Sequence, residues 1–217
     1  MSITLYGTPR NRTFRVLWML EELGLPYRHV ACFGPDLLTP EYQAINPQSK
    51  VPALADGDLT ITESYAINLH LALTHPSALW PDTAQAQARI LQWTLFAATE
   101  LDNWASLWAV HTIFRSPEAR DPALARLGAA SLERPLRALD QALGKGGLVP
   151  GHDFTLADLN LAATLFTVLT NDMPSPDVPA LTAWFARATS RPDARRAIAA
   201  RAANVPVADL PAEGVPA

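Results

Sequence analysis

The run Asn46-Pro47-Gln48-Ser49-Lys50-Val51-Pro52-Ala53-Leu54, followed by Glu63-Ser64, has the residue types needed to hold a small acidic peptide. Val51-Pro52 falls within what reads as the first strand of a hairpin, Lys50 to Ala55. An Asp56-Gly57 turn and a second strand, Leu59 to Ile61, follow. Proline cannot donate to a sheet ladder, so it calls for an edge position or special geometry. A cis Val51-Pro52 bond, at about 0.5–1 kcal/mol for an X-Pro pair, would provide that geometry. The Val51 N–H and C=O would then face outward and pair with an extended peptide. Glu63-Ser64 stands where a new helix offers free N–H groups to a carboxylate. Taken singly, Val-Pro reads as a sheet-edge device and Glu-Ser as a helix-start capping pair. Their joint spacing points to a docking strip.

These segments need a scaffold, and the first 78 residues supply alternating elements. Ile3 to Tyr6 reads as a strand, and Thr13 to Leu23 has helical spacing with Val16, Leu17, Leu20 and Leu23 apolar. Gly24 closes that helix. Tyr27 to Phe33 reads as a second strand and Pro40 to Ile45 as a brief helical turn. The hairpin comes next, then a helix from Ser64 to about Leu73. The order β-α-β-α-β-β-α joins a crossover unit to a hairpin and resembles the thioredoxin fold.

His75-Pro76 and Trp80-Pro81-Asp82 break the pattern, which places a linker at residues 79–84. An all-α domain is expected over 85–203 and an irregular, proline-bearing tail over 204–217. Thr83 to Phe114 holds neither glycine nor proline and suits one long helix. Pro122 to Leu143 is another helical segment. Phe154-Thr155-Leu156-Ala157-Asp158-Leu159 reads as a capping box that opens a buried helix. Losing such a cap typically costs about 0.5–2 kcal/mol.

Composition narrows the function classes. The 217 residues are 49% apolar with a net charge of −4 and no dominant basic stripe, which argues against nucleic acid. No apolar run approaches the roughly 18–20 residues that span a bilayer, and the N-terminus lacks a signal pattern. The single cysteine, Cys32, excludes an internal disulfide, fits a reducing cytoplasm and reads as a packing residue. No metal-ligand spacing is present.

With the hairpin run, the Glu63-Ser64 pair and the Thr155/Asp158 box in place, the chain resembles the cytosolic glutathione transferases from Ile3 to about Ala200. The segments Leu5 to Arg12 and Trp18 to Tyr27 look bacterial in style. The resemblance implies glutathione as co-substrate, a small apolar electrophile, a homodimer and a detoxifying transferase. It assigns Val51, with Pro52, to the cysteinyl portion and Lys50, with Gln48 nearby, to the glycyl carboxylate. Glu63 and Ser64 go to the γ-glutamyl end. For Lys50 the alternative is a solvated edge-strand charge.

The thiolate is the nucleophile, and a free thiol has a pKa of about 8.5. Ionising it at neutral pH takes a drop of about two units, or roughly 3 kcal/mol. A helix N-terminus contributes up to about 2 kcal/mol and a hydrogen bond to a charged acceptor about 1.5–3 kcal/mol. The family places a tyrosine, serine or cysteine donor in the loop after the first strand. Here Tyr6 comes too early, and aligning Pro9 with the loop proline of serine-type relatives puts Asn11 at the donor position. Asparagine donates N–H but accepts no proton; it also reads as an N-cap. Thr13 is the reserve donor. Arg10 and Arg12 either stabilise an anionic sulfur or face solvent. Trp93, Glu100, Trp104, Trp108 and His111 form a helical stripe, read as core, as dimer surface or as the wall of an electrophile cleft between domains. Three activities stay open: conjugation, glutathione-dependent disulfide or peroxide reduction, and binding without catalysis.

Overall fold

The computed structural model describes residues 2–210, which form two compact units. In the first, β1 (Ile3–Tyr6), β2 (Tyr27–Val30), β3 (Ala53–Asp56) and β4 (Leu59–Thr62) make a sheet of order β2-β1-β3-β4. β1 runs parallel to β2 and antiparallel to β3, and β3 and β4 form the hairpin. Helices α1 (Thr13–Glu22), α2 (Pro40–Ile45) and α3 (Ser64–Thr74) complete the expected thioredoxin-like order. Leu5, Val16, Leu17, Trp18, Leu54 and Ile67 are fully buried and form the core.

Two strand boundaries differ from expectation. β2 ends at Val30, and Gly34–Leu38 is a 3-10 turn with Pro35 near its start. β3 starts at Ala53, so Val51 and Pro52 precede the ladder rather than lie within it. The missing proline N–H therefore disrupts no sheet hydrogen bond.

The second unit, from Ala78 to Ala188, is helical. It contains α4 (Ala84–Phe96), α5 (Asp102–Ala109), α6 (Pro122–Gly144), α7 (Leu156–Leu169) and most of α8 (Pro179–Ser190). π-Helical turns at Ala97–Leu101 and Val110–Phe114 interrupt the long helix expected through Phe114. A Cβ on Gly128 of α6 would lie 2.7 Å from the Trp108 N and 2.9 Å from the Trp104 O, so a glycine is needed where α6 meets α5. At the start of α7 the Thr155 N–H donates to Asp158 Oδ2 at 2.9 Å, completing the expected capping box. Trp184 Nε1 donates to Asp158 Oδ1 at 2.8 Å, so both carboxylate oxygens of this buried residue are satisfied. Burial still pushes the Asp158 carboxyl above its usual range. Leu79 is buried in this unit, and its C=O accepts from the Leu156 N–H. No helix among the described residues is long and apolar enough to cross a membrane.

The last helix departs from the expected division. α9 (Pro192–Ala203) belongs to the first unit, where it packs along α1. It buries Ala194, Ala197 and Ala200, and ion pairs flank that small-residue face. Arg191, just before α9, donates from Nε and Nη2 to the two Glu22 carboxylate oxygens at 2.8 and 2.7 Å. Trp18 Nε1 adds a bond to Glu22 Oε1, and Arg196 Nε reaches Glu21 Oε2 at 2.8 Å. Of the expected tail over 204–217, residues 207–209 form a 3-10 turn, and 211–217 lie outside the described residues.

The Glu22 side chain is only 2% exposed, so its charge depends on these donors. Arg191→Met should lower the stability of the protein by about 3 kcal/mol, the low end for breaking a buried pair whose cationic member is partly solvated. The midpoint and slope of urea unfolding measure this loss.

Candidate functional site

Sheet register gathers the predicted residues at one end of the first unit. Tyr6, the last residue of β1, pairs with Ala53, the first of β3, and Ala53 pairs with Thr62, the last of β4. The loop after β1, the turn before β3 and the residue after β4 therefore leave the sheet from the same end. Asn11, Lys50-Val51-Pro52 and Glu63-Ser64 lie on those three segments.

The loop after β1 begins at Gly7, with φ +128°. Its N–H donates to Val30 C=O, and its own C=O accepts from His29 Nε2 at 2.8 Å. Burial holds the His29 imidazole below its usual pKa, so it stays neutral with the proton on Nε2. A Cβ on Gly7 would collide with Thr13 Oγ1 and lie 3.0 Å from the Val51 Cβ. Gly7 is thus where the loop, the start of α1 and the turn before β3 meet.

Asn11 stands one residue before the N-cap of α1, which is Arg12. Its Oδ1 accepts the Thr13 N–H at 2.8 Å, and its amide donates to Thr8 Oγ1 at 3.1 Å. The amide has two donor hydrogens, and Thr8 takes one. Thr13 is fully buried, and its hydroxyl has no hydrogen-bond partner among the described residues.

The Val51-Pro52 bond is cis, and Val51 lies outside the ladder. Among the described residues no backbone hydrogen bond involves the Val51 N–H or C=O. The preceding turn is fixed from beneath. Lys50 C=O accepts from Tyr42 Oη and from Asn46 Nδ2, both at 2.7 Å. Asn46 Oδ1 accepts the Gln48 N–H at 3.1 Å. Burial pushes the Tyr42 phenol well above its usual pKa, so it remains a donor. The Lys50 and Gln48 side chains are exposed.

Glu63 is the N-cap of α3 and has φ +67°, a region non-glycine residues rarely occupy. Such backbone concentrates at ligand clamps. Ser64 is buried, and its Oγ accepts from Arg15 Nη1 at 3.2 Å. The Arg15 guanidinium also lies 4.6 Å from the Tyr65 ring centroid. Accepting that bond leaves the Ser64 O–H, with the N–H groups of the first turn of α3, as donors at this helix start.

The helical stripe of the second unit is not one face. Glu100 is exposed, Trp93 and Trp104 are half-buried, and Trp108 and His111 are buried. The π turns before and after α5 shift the phase that a regular helix would keep. Trp108 and His111 line a cavity of about 990 Å³ together with Arg126 and Glu133 of α6 and Asp172. His111 Nδ1 accepts the Asp121 N–H at 3.0 Å, which places its proton on Nε2. Among the described residues no group of His, Cys, Asp and Glu could hold a metal.

Sequence reasoning missed Tyr42, Asn46 and Arg15, which position the predicted residues from behind. Asn46-Pro47 carried a usable signal, because asparagine before a proline favours a side-chain-closed turn. Tyr42 and Arg15 act on segments distant in the chain and carried none.

Comparison with known proteins bears on the same segments. Residues 1–73 match the family model "Glutathione S-transferase, N-terminal domain", and residues 104–192 match "Glutathione S-transferase, C-terminal domain". The chain is 32% identical to glutathione S-transferase 3 of Zea mays, over 91% of this chain and 94% of that protein. It is 29% identical to glutathione S-transferase GstB of Escherichia coli K12, over 90% of this chain and 97% of the other. A theta class glutathione S-transferase from Xanthomonas axonopodis pv. citri, solved with glutathione bound, superposes with a TM-score of 0.84. That match has 29% identity and covers 90% of this chain and 96% of that one.

Gly7→Ala should destabilise the protein by about 2–4 kcal/mol, combining overpacking with an unfavourable φ. Adding Thr13→Ala removes the colliding oxygen and should recover about 1 kcal/mol or more, a coupling read from a double-mutant unfolding cycle.

Proposed function

The chain belongs to the glutathione S-transferase family, and from that premise we propose that it ionises glutathione at the sheet end of its first unit and joins the sulfur to a small apolar electrophile. One observation carries this reading: the register that pairs Tyr6 with Ala53 and Ala53 with Thr62 brings the three ligand-competent segments to one end. Glutathione is a substrate here, consumed in each turnover. Its γ-glutamyl end meets Glu63 and the N–H groups at Ser64, and its cysteinyl backbone pairs with Val51 beside Pro52. Its glycyl carboxylate faces Lys50, with Gln48 nearby.

The thiol proton leaves to solvent, because an amide cannot accept it. The second amide hydrogen of Asn11 points the remaining charge toward the start of α1, and the Thr13 N–H bond to Asn11 Oδ1 holds that amide in orientation. Asn11 donates to the sulfur in this account, and Thr13 supports it. The thiolate then forms a C–S bond. In substitution a halide or similar anion departs; in conjugate addition the carbanion takes a proton from water. Trp104, Trp108 and His111 are assigned to the electrophile side, and their aromatic surface supports that assignment. Homodimerisation is part of the reading, supported by exposed Leu91 and Leu95 one turn apart on α4. A cytoplasmic location is supported by the single cysteine.

The hydrogen bonds that engage Asn11 within its own loop favour a second reading, a protein that binds glutathione without activating it. One set of measurements separates the two. Calorimetry should detect glutathione binding at millimolar ligand or below, and thiolate absorbance against pH should show the bound thiol titrating below its free value. Asn11→Ala should raise that value by about one to two units, the worth of one hydrogen bond to a charged acceptor. Binding with an unshifted thiol selects the second reading, and no binding rejects both.

A further inference from the structure

The last turn of α9 and the loop before α1 are tied to each other twice. Arg201 Nη1 donates to the Pro9 C=O at 3.0 Å, and Arg10 Nη2 donates to the Ala202 C=O at 3.2 Å. The Arg201 guanidinium also lies 5.0 Å from the centroid of the Phe14 ring. It therefore touches residues on both sides of Asn11. Pro9 is buried, so the C=O that Arg201 holds belongs to the fixed inner face of the loop.

Charge is concentrated at the same place. Burial, followed by the nearby Arg10 and Arg15, lowers the Arg201 guanidinium from its ordinary value to about 10, so it remains cationic at neutral pH. Arg15 is itself buried. A helix N-terminus already carries a partial positive charge, and its first turn favours acids. α1 has no acid there and has Arg10, Arg12 and Arg15 at its start instead. Its other end holds Glu21 and Glu22, which is also against the dipole, and there Arg191 and Arg196 supply the counter-charge. Cations near a helix start lower the free energy of an anion placed there.

We propose that Arg201 is a positioning residue for the thiolate: it fixes the Pro9–Asn11 turn from the far end of the chain and adds its positive charge to the field at the start of α1. This rests on the glutathione reading above and assigns a role to a residue outside the sheet, the β1–α1 loop and the α3 start. Arg201→Gln removes the charge and, two bonds shorter, also withdraws the donor from the Pro9 C=O, whereas Arg201→Lys keeps the charge and a donor.

The test uses the full chain with glutathione as the probe, and each variant is first checked for an unfolding midpoint near that of the parent. Arg201→Gln should raise the pKa of bound glutathione by about half a unit to one unit, the effect of one charge several ångströms away at partial burial. Below neutral pH its kcat/KM should fall about threefold to tenfold, the same shift expressed as thiolate fraction. The KM for glutathione should change less than kcat. Arg201→Lys should restore most of the thiol shift. Equal titrations for the Gln and Lys variants would overturn the inference while leaving the glutathione reading intact. If the parent chain binds no glutathione, both fall together. A fall in stability with no change in titration would identify Arg201 as a purely structural tie and also overturn the proposal.

Discussion

Everything at the candidate site depends on how closely three segments approach at Gly7. A side chain there would meet Thr13 and Val51 at once, so the strand exit, the first turn of α1 and the turn before β3 share one small space. His29 and Val30 hold Gly7 from the neighbouring strand through its C=O and N–H. Val51 consequently lies beside the start of α1. The positive φ at Gly7 and the register of Tyr6 with Ala53 are two aspects of the same constraint.

Local signals made much of this legible. The hairpin, its Asp56-Gly57 turn, the α1 and α2 starts and the Thr155/Asp158 box each depend on residues within a few positions of one another. Short-range chemistry of that kind decides between few alternatives. The position of Asn11 came from the family resemblance, through Pro9, and its bonds to Thr8 and Thr13 are local ones within the loop.

What stayed hidden was carried by distant partners or by helix phase. α9 is rich in alanine and arginine and shows no apolar face strong enough to reveal its neighbour. Beside its buried alanines, Arg191 and Arg196 tie this end of the chain to α1 and Arg201 ties it to the preceding loop, through acceptors well over a hundred residues earlier. The aromatic stripe assumed a regular helical period from Trp93 to His111. Each π turn adds a residue to a turn, so Glu100 faces solvent while Trp108 and His111 turn inward. Asn46 and Tyr42 close the turn before β3 through hydrogen bonds to Lys50 that the sequence pattern did not reveal.

The reciprocal bonds between residues 9–10 and 201–202 also bear on biosynthesis. Chains emerge from the ribosome N-terminus first and fold in that order where they can. The sheet and its hairpin can form early, but the loop beside α1 acquires its final braces only once the last helix has been made. Contacts this far apart in sequence form late and slowly. A product truncated before α9 would thus carry a well-formed sheet with an unbraced β1–α1 loop.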